Sequence, residues 1–403
     1  MMAVKFIHTA DLHLDSPFEG LKSIPDNFAK RLYSASMTAF AEIVEAAIKR
    51  QVDFVLIAGD LYDSPHPSVA AQLFLQKEFL KLQQSEIPVY LCLGNHDFLN
   101  LENTTLVYPE NVYVFPNQVT TKRFFVDGQS VSLTSFSYGK QWIEGQIDGF
   151  PLKGSERWHL GMVHGEISTD YKNAKYAPFS LTQLKSKNYD YWALGHIHKR
   201  EVLSSTPLII YPGNIQGKSI KETGVKGYYF VTDKDNKLVA DFCPVAGIQW
   251  IEIPLEFEEN DTFEKLKNKI ENKLVEIKQN FSSVQAFIVR ISLKASSDLE
   301  PSLKERIIKG VLLGQLQNDI QSDDNLFLYD VLLKNAQIQQ NNFWDKEVES
   351  KAKELVFQRD NLYKLADNLV KYRFIDEHFI QSSITESIGN KAMTYLEEEM
   401  GGD

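Results

Sequence analysis

Along the first 230 positions, apolar residues come in short runs, and each run stops at a polar motif. Val4-Lys5-Phe6-Ile7-His8 feeds Thr9-Ala10-Asp11-Leu12-His13-Leu14-Asp15, and Phe54-Val55-Leu56-Ile57-Ala58 feeds Gly59-Asp60-Leu61-Tyr62-Asp63. Val89-Tyr90-Leu91-Cys92-Leu93 ends in Gly94-Asn95-His96-Asp97, and Leu160 to Val163 ends in His164-Gly165-Glu166. Tyr189 to Leu194 ends in Gly195-His196-Ile197-His198, and Leu208 to Tyr211 in Pro212-Gly213-Asn214. Short apolar runs bounded by turn residues read as buried strands. Phe28, Leu32, Phe40, Ile43, Ala47 and Ile48 share one helical face, which predicts a helix from near Asp26 to Arg50. Pro65 and Pro67 break the chain, and Ser68 to Gln84 reads as a second helix. Its apolar residues, Val69, Leu73, Phe74, Leu75, Phe79, Leu80 and Leu82, cover more than one face, which fits either burial or contact with a second copy. Val112, Val114, Phe124, Val126, Val131 and Leu133 alternate like hairpin material over 111–136. Tyr228 to Val231 closes this part with a turn at Asp233 to Asn236.

The pattern changes near Gly247. Trp250 to Phe257 reads as a strand, Thr262 to Asn280 as an amphipathic helix, Ala286 to Leu293 as a strand, Leu303 to Asp319 as a helix and Leu326 to Leu332 as a strand. That β-α-β-α-β order is a small α/β unit. From Asn342 onward the chain is polar, helix-prone and without proline, and Leu355, Leu362, Leu365, Leu369, Phe374 and Phe379 suggest two or three helices. The division is therefore 1–240, 247–335 and 340–403.

At 403 residues, 43% hydrophobic and 24% charged, the chain has the composition of a globular protein with more than one domain. No apolar run has the roughly 18 residues of a membrane span, and Met1 to Ala10 has no signal-peptide pattern, so a cytoplasmic protein is expected. Cys92 and Cys243 are the two cysteines; no disulfide framework is built from them, and Cys92 reads as a buried thiol. The net charge of −11 argues at first against nucleic acid. Its distribution changes that: residues 1–230 hold 22 basic and 23 acidic groups, whereas 231–403 hold 21 and 31. The first part is close to neutral and is open to a phosphodiester substrate.

The polar motifs form one constellation: Asp11 and His13, Asp60 and Asp63, Asn95 with His96 and Asp97, His164, then His196 and His198. Carboxylate, imidazole and amide oxygen suit a borderline divalent ion such as Mn, Fe or Zn. One ion would take Asp11, His13, Asp60 and His198; the second would take Asp60, Asn95, His164 and His196. Asp60 bridges the pair, which clamps both oxygens of an in-line displacement and acidifies the attacking water. His96 is free of ligation, and its role is to protonate the leaving oxygen or to stabilise charge on the phosphate, with Asp63 orienting it. Asp97 and Glu166 orient neighbours. His8 reads as a satisfied core histidine, His66 as a loop histidine near the site, and His159 and His378 as structural or solvated. Lys122, Arg123, Lys172, Lys175, Lys185, Lys187, Lys199, Arg200, Lys218 and Lys221 are candidates to track phosphates.

With these motifs the chain resembles the calcineurin-like metallophosphoesterases. Within them it is similar to the nuclease subunit of the SbcCD-type DNA repair complex, and most like that group's YhaO-type branch. The segments Phe6-Ile7-His8-Thr9-Ala10-Asp11-Leu12-His13-Leu14-Asp15-Ser16-Pro17, Gly195-His196-Ile197-His198 and Tyr211-Pro212-Gly213 carry the likeness. It implies an α/β fold: a two-layer αββα sandwich with a capping domain and C-terminal helices. It implies two manganese ions and hydrolysis of DNA phosphodiesters in repair, as an exonuclease on ends with endonuclease action on single strands. It further implies a homodimer and an SbcC-like coiled-coil ATPase bound by the C-terminal helices. Two positions depart from the pattern: Asp63 stands where the archaeal and eukaryotic nucleases carry a second catalytic histidine, and Asn214 stands where serine is usual. The rival expectations are a phosphatase or cyclic-nucleotide phosphodiesterase, and a scaffold that keeps the fold without catalysis.

Overall fold

A computed structural model describes residues 3–335 apart from 17, 19–20, 22–23, 64–66, 99–106, 169–173, 246, 259–260, 281–285, 296–299 and 321–324. The helices expected over 340–403, with His378, and also His66 and Lys172 lie outside the described residues. The elements run β1 (Lys5–Thr9), α1 (Asp26–Arg50), β2 (Phe54–Ala58), α2 (Val69–Gln84), β3 (Val89–Cys92), β4 (Val112–Val114), β5 (Thr120–Val126) and β6 (Gln129–Ser135). They continue with β7 (Trp158–His164), α3 (Leu181–Ser186), β8 (Tyr191–Gly195), β9 (Glu201–Ser205), β10 (Leu208–Tyr211), β11 (Gly227–Lys234) and β12 (Lys237–Pro244). Then come β13 (Ile248–Glu256), α4 (Phe263–Asn280), β14 (Ala286–Ala295), α5 (Pro301–Ile308), α6 (Val311–Ile320) and β15 (Leu326–Asn335).

Two six-stranded sheets, ordered β12-β11-β1-β2-β3-β4 and β5-β6-β7-β8-β10-β9, lie face to face. Phe6, Phe54, Leu56 and Ala58 from the first meet Leu133, Leu160, Met162, Tyr191 and Ile210 from the second in one buried core. On the outer face of the first sheet, Ile7, Val55 and Ile57 pack on Phe40, Ile43 and Val44 of α1 and Leu75 and Phe79 of α2. On the outer face of the second, Val163, Trp192 and Leu194 pack with Leu184 of α3. β2 is apolar at every position because both of its faces are covered, as in buried parallel strands generally. The expected α/β sandwich of two sheets flanked by helices is observed.

A third sheet, β13-β14-β15, is parallel throughout. One face packs on α4, α5 and α6 through Ile253, Leu266, Ile270, Val289, Ile291 and Leu312. The other face sets Trp250, Ile288 and Phe327 against Phe28 and Leu32 of α1, and Arg31 donates to Asn325 at 3.1 Å. No helix among the described residues is long and apolar enough to cross a membrane.

Four local readings change. The hairpin expected over 111–136 divides between sheets: β4 runs parallel to β3, while β5 and β6 form the hairpin. Phe115, fully buried between the sheets, carries the chain across. β9, an exposed edge strand with polar ends, had no apolar signature. β12 follows the Asp235-Asn236 turn, where both residues adopt positive φ, and it extends the first sheet to Pro244. The helix expected from Leu303 to Asp319 breaks at Gly310, whose φ of 74° ends α5.

Candidate metal centre

The C-terminal ends of β1, β2 and β3 in one sheet, and of β7 and β8 in the other, converge on one edge of the sandwich, as sites in parallel sheets do. Asp11 and His13 follow β1, Asp60 follows β2, Asn95 and His96 follow β3, His164 ends β7, and His196 and His198 follow β8. All seven expected ligands are brought together there.

Hydrogen bonding sets which ring nitrogen faces inward. His164 Nδ1 lies 2.9 Å from the Ala58 carbonyl, which can only accept, so in the neutral ring Nε2 carries the lone pair. That nitrogen points at Asp60 Oδ2, 3.3 Å away, and at Asn95 Oδ1, 3.0 Å away. His196 Nδ1 comes to the same amide oxygen at 3.1 Å. On the other side, His13 Nδ1 faces Asp63 Oδ1 at 3.2 Å, and His198 Nδ1 faces Glu222 Oε1 at 2.5 Å. Their Nε2 atoms therefore meet head to head at 3.0 Å, with Asp60 Oδ2 3.8 Å from His13 Nε2. Asp11, His13 and His198 bring ligand atoms within 4.8 Å of one another, and so do Asp11, Asp60 and His164. With both rings neutral these lone pairs would face one another, an approach that a cation between them would relieve. The donor set, mostly imidazole and carboxylate, fits first-row divalent ions.

The floor is buried and the mouth is open. The side chains of Asp11 and His164 are fully buried, whereas those of His198, Asp63 and His96 are 35, 37 and 41% exposed. Without a cation, Asp60 and His164 hold each other charged. Burial alone would push the Asp60 carboxyl up, but His164 and His13 hold it below the ordinary carboxylate range. Burial lowers the His164 imidazole, yet Asp60 and Asp11 outweigh it and lift the ring to about 9. Burial and the neighbouring His164 push His196 down to about 3.

Backbone geometry explains the glycines. Gly59 has φ of 90°, and a Cβ there would sit 2.2 Å from His164 Nδ1. A Cβ on Gly94 would sit 2.1 Å from Asp60 Oδ1. Each leaves room for a ligand from a neighbouring strand. Asp11, His13, Asp60 and His196 also adopt positive φ, at 50, 41, 50 and 98°.

His96 stands at the mouth. Its backbone N–H donates to Asp60 Oδ1 at 3.1 Å, and its Nδ1 lies 3.1 Å from the Asp63 carbonyl and 3.5 Å from the Asp63 carboxylate. Asp63 thus meets His96 chiefly through its backbone, and its carboxylate is nearer to His13. Asp97 accepts from the N–H groups of Leu61 and Gly94 at 2.6 and 2.7 Å, bracing two of the ligand loops. Glu166 accepts from the Lys175 and Tyr176 N–H groups, and the Tyr176 ring lies 4.7 Å from the His196 ring. His8 is buried, with Tyr191 Oη at 2.9 Å and the Leu194 carbonyl at 3.2 Å, and burial lowers its ring to about 3. His159 accepts from the Gly154 N–H, a structural role.

Two residues here were not singled out from the sequence. Glu222 braces His198, and Asp15 accepts from Asp63 N at 3.3 Å and Ser68 N at 2.9 Å, anchoring the loop beyond Asp60. A carboxylate inside a quoted motif, as Asp15 is, was the available cue; Glu222 had none. Among the candidate phosphate-tracking residues, Lys218 is a correction. It is buried, and its ammonium donates to Ser16 O and Ser36 Oγ, so it faces the protein interior. Arg123 pairs with Glu156, and Lys187 donates to the carbonyls of Asp148 and Phe150.

Residues 4–200 match the family described as calcineurin-like phosphoesterase. The chain is 40% identical over 279 residues to the protein named uncharacterized metallophosphoesterase YhaO from Bacillus subtilis, a match covering 66% of this chain and 68% of that one. A solved dimetal phosphatase from Danio rerio aligns with 61% of this chain and 97% of its own, at 12% identity and a TM-score of 0.38.

Proposed function

Since the chain belongs to the calcineurin-like phosphoesterase family, whose chemistry is phosphoester hydrolysis at a dimetal centre, we propose that it is a metal-dependent DNA nuclease acting in repair. On this reading it is an exonuclease on DNA ends with endonuclease action on single strands. The observation that carries the catalytic part is the head-to-head approach of His13 and His198 Nε2 at 3.0 Å beside Asp60. Asp11, His13, Asp60 and His198 would hold one ion, and Asp60, Asn95, His164 and His196 the other; manganese suits the set. Such a pair supplies Lewis acidity to the phosphoryl oxygens and lowers the pKa of the attacking water.

The chain's own residues do the rest. The buried floor keeps bulk water from the reacting atoms on one side, so the phosphodiester approaches from the side of His96. His96 Nδ1 donates to the Asp63 carbonyl, which leaves Nε2 for the scissile phosphate; as the imidazolium the ring stabilises charge there, or gives its Nε2 proton to the leaving oxygen. DNA as substrate rests on the resemblance of the site motifs, on the near-neutral charge of residues 1–230, and on a third sheet that a small phosphoester would not need. The same reading includes cytoplasmic action, an SbcC-like ATPase partner for residues 340–403, and a homodimer. Exposed Val69, Leu73 and Leu80 on one side of α2 support the dimer.

The test is a manganese-dependent assay on a labelled duplex and on a nitrophenyl phosphodiester, with metal content measured for wild type and His96→Asn. The expected result is cleavage of the duplex by wild type, and loss of turnover with both ions retained in His96→Asn. Hydrolysis of the nitrophenyl ester alone would replace the nuclease reading with a small-molecule phosphodiesterase. Protein that binds no manganese would leave a scaffold.

A further inference from the structure

The segment from Asn214 to Glu222 touches the metal centre at one end and the third sheet along its middle. At the metal centre, Glu222 Oε1 accepts from His198 Nδ1 at 2.5 Å, while Oε2 accepts from Lys218 N at 2.6 Å and Asn214 Nδ2 at 3.0 Å. At the third sheet, Gln216, 2% exposed, makes a reciprocal pair with β13: its Nε2 donates to Ile248 O at 2.6 Å and its Oε1 accepts from Ile248 N at 3.0 Å. Trp250 of β13, 1% exposed, donates from Nε1 to Gly217 O at 3.1 Å.

His198 needs such a brace more than the other ligands do. His164 ends a strand and is enclosed, whereas His198 lies three residues past β8 with over a third of its side chain exposed. A ligand on a loop is held only as well as its outer hydrogen bonds hold it. The carboxylate fixes the tautomer as well: because Glu222 accepts at Nδ1, the lone pair of His198 stays on Nε2, toward His13.

We propose that Glu222 is a positioning residue for the ion held by His198, and that the third sheet fixes it there through Gln216 and Trp250. The proposal rests on the dimetal reading above. It gives the third sheet a role apart from substrate contact: its docking sets the affinity of one of the two ion sites.

Isothermal titration with Mn2+, paired with metal counting on the purified full chain, tests this on Glu222→Gln, Glu222→Ala, Gln216→Ala, His198→Ala and Glu222→Ala/His198→Ala. Glu222→Gln keeps the side chain's shape but leaves at least one of the three donors without an acceptor, so it remains informative should Glu222→Ala not fold. Glu222→Ala is expected to weaken one of two sites by about 10- to 100-fold and leave the other unchanged, as loss of an outer-shell partner does. Gln216→Ala is expected to weaken the same site by less. The double variant should be no weaker than His198→Ala, because the glutamate acts through the histidine. Two sites of wild-type affinity in Glu222→Gln and Glu222→Ala overturn the proposal. So does equal weakening of both sites, or a double variant in which the effects add. Wild-type protein that takes up no manganese overturns the dimetal reading instead, and the two failures are thereby distinct.

Discussion

Three glycine-to-alanine substitutions separate what the backbone needs from what the ion site needs. Gly128, in the β5–β6 turn, has φ of 80°, and a new Cβ there meets nothing within 4 Å. Gly128→Ala therefore carries only the left-handed backbone penalty, about 1–2 kcal/mol, partly offset by a stiffer unfolded chain. Gly94 has ordinary φ, but its new methyl would lie 2.1 Å from Asp60 Oδ1 and 2.8 Å from His164 Nε2. Asp60 is 1% exposed and enclosed by the other groups of the centre, so the overpacking costs about 1–3 kcal/mol. The larger effect is on the site. The carboxylate that moves is the one proposed to bridge both ions, so manganese affinity should fall by at least about tenfold, the lower bound for losing a mere outer partner. Gly59→Ala combines the two effects: φ of 90° and a methyl 2.2 Å from His164 Nδ1. Its expected loss is the sum, about 2–5 kcal/mol, with ion binding impaired because His164 must leave the Ala58 carbonyl. Urea unfolding in a chelator gives the stabilities, and manganese calorimetry gives the affinities. If Gly94→Ala bound two ions as tightly as wild type, Asp60 would not be where the chemistry needs it. If Gly128→Ala cost as much as Gly59→Ala, crowding at the strand ends would not be the cause.

Burial holds the Lys218 ammonium down to about 8 from its ordinary 10.5, so between those pH values the unfolded chain binds a proton that the folded chain has lost. Metal-free wild type should thus gain stability relative to Lys218→Met as pH rises from 8 to 10.5, by up to about 3 kcal/mol, and parallel curves in chemical unfolding would contradict it. Asp97→Asn keeps one acceptor for two backbone N–H groups, those of Leu61 and Gly94, and should cost about 1–3 kcal/mol in the same assay. Leu73→Glu places a charge in the exposed stripe of α2, where Leu73 is 51% exposed. Sedimentation should find a dimer for wild type and a monomer for the variant, with little change in stability; identical sedimentation would remove that face from the proposed dimer.

The sequence was most legible where burial is symmetric. β2 sits between the inter-sheet core and the helices, so all five of its residues are apolar and its bounds could be read directly. α1 spans Asp26–Arg50 as its periodicity required, because one face meets the first sheet and the third sheet takes up Phe28 and Leu32 near its start. What escaped was set by solvent or by distant partners. β9 and β12 lie at sheet edges, where polar side chains face water and period-2 alternation dissolves. β4 looked like the first half of a hairpin because alternation records that a strand is half-buried and says nothing of which sheet it joins. The seven expected ligands, which the fold brings together, could be read because each lies at or just past the end of a strand. Glu222 could not, because it lies on a single short turn 24 residues from His198, and nothing local marks a carboxylate as a partner. Lys218 misled for the same reason: a lysine in a polar loop looks solvated until α1 closes over it.

The positive φ angles of Asp11, His13 and Asp60 have a structural cause that sequence patterning cannot carry. Strand pairing between β1 and β2 does not stop at their ends. Asp11 N donates to Gly59 O at 3.1 Å, His13 N to Asp60 O at 3.1 Å, and Leu14 N to Leu61 O at 3.0 Å. These bonds bind the two ligand loops to each other while each turns through left-handed backbone, which costs L-residues about 1–2 kcal/mol apiece. Leu12, Leu14 and Leu61, each no more than 1% exposed, anchor the same loops beneath α1 and α2. Strain of this kind persists where surrounding packing and hydrogen bonds over-determine it. The carboxylates are therefore held in place by the apolar side chains that alternate with them and by the hydrogen bonds between the two loops. Asp11, His13 and Asp60 point to the centre because Leu12, Leu14 and Leu61 point to the core. The alternation that first marked these segments as chemical motifs is the same alternation that makes them rigid.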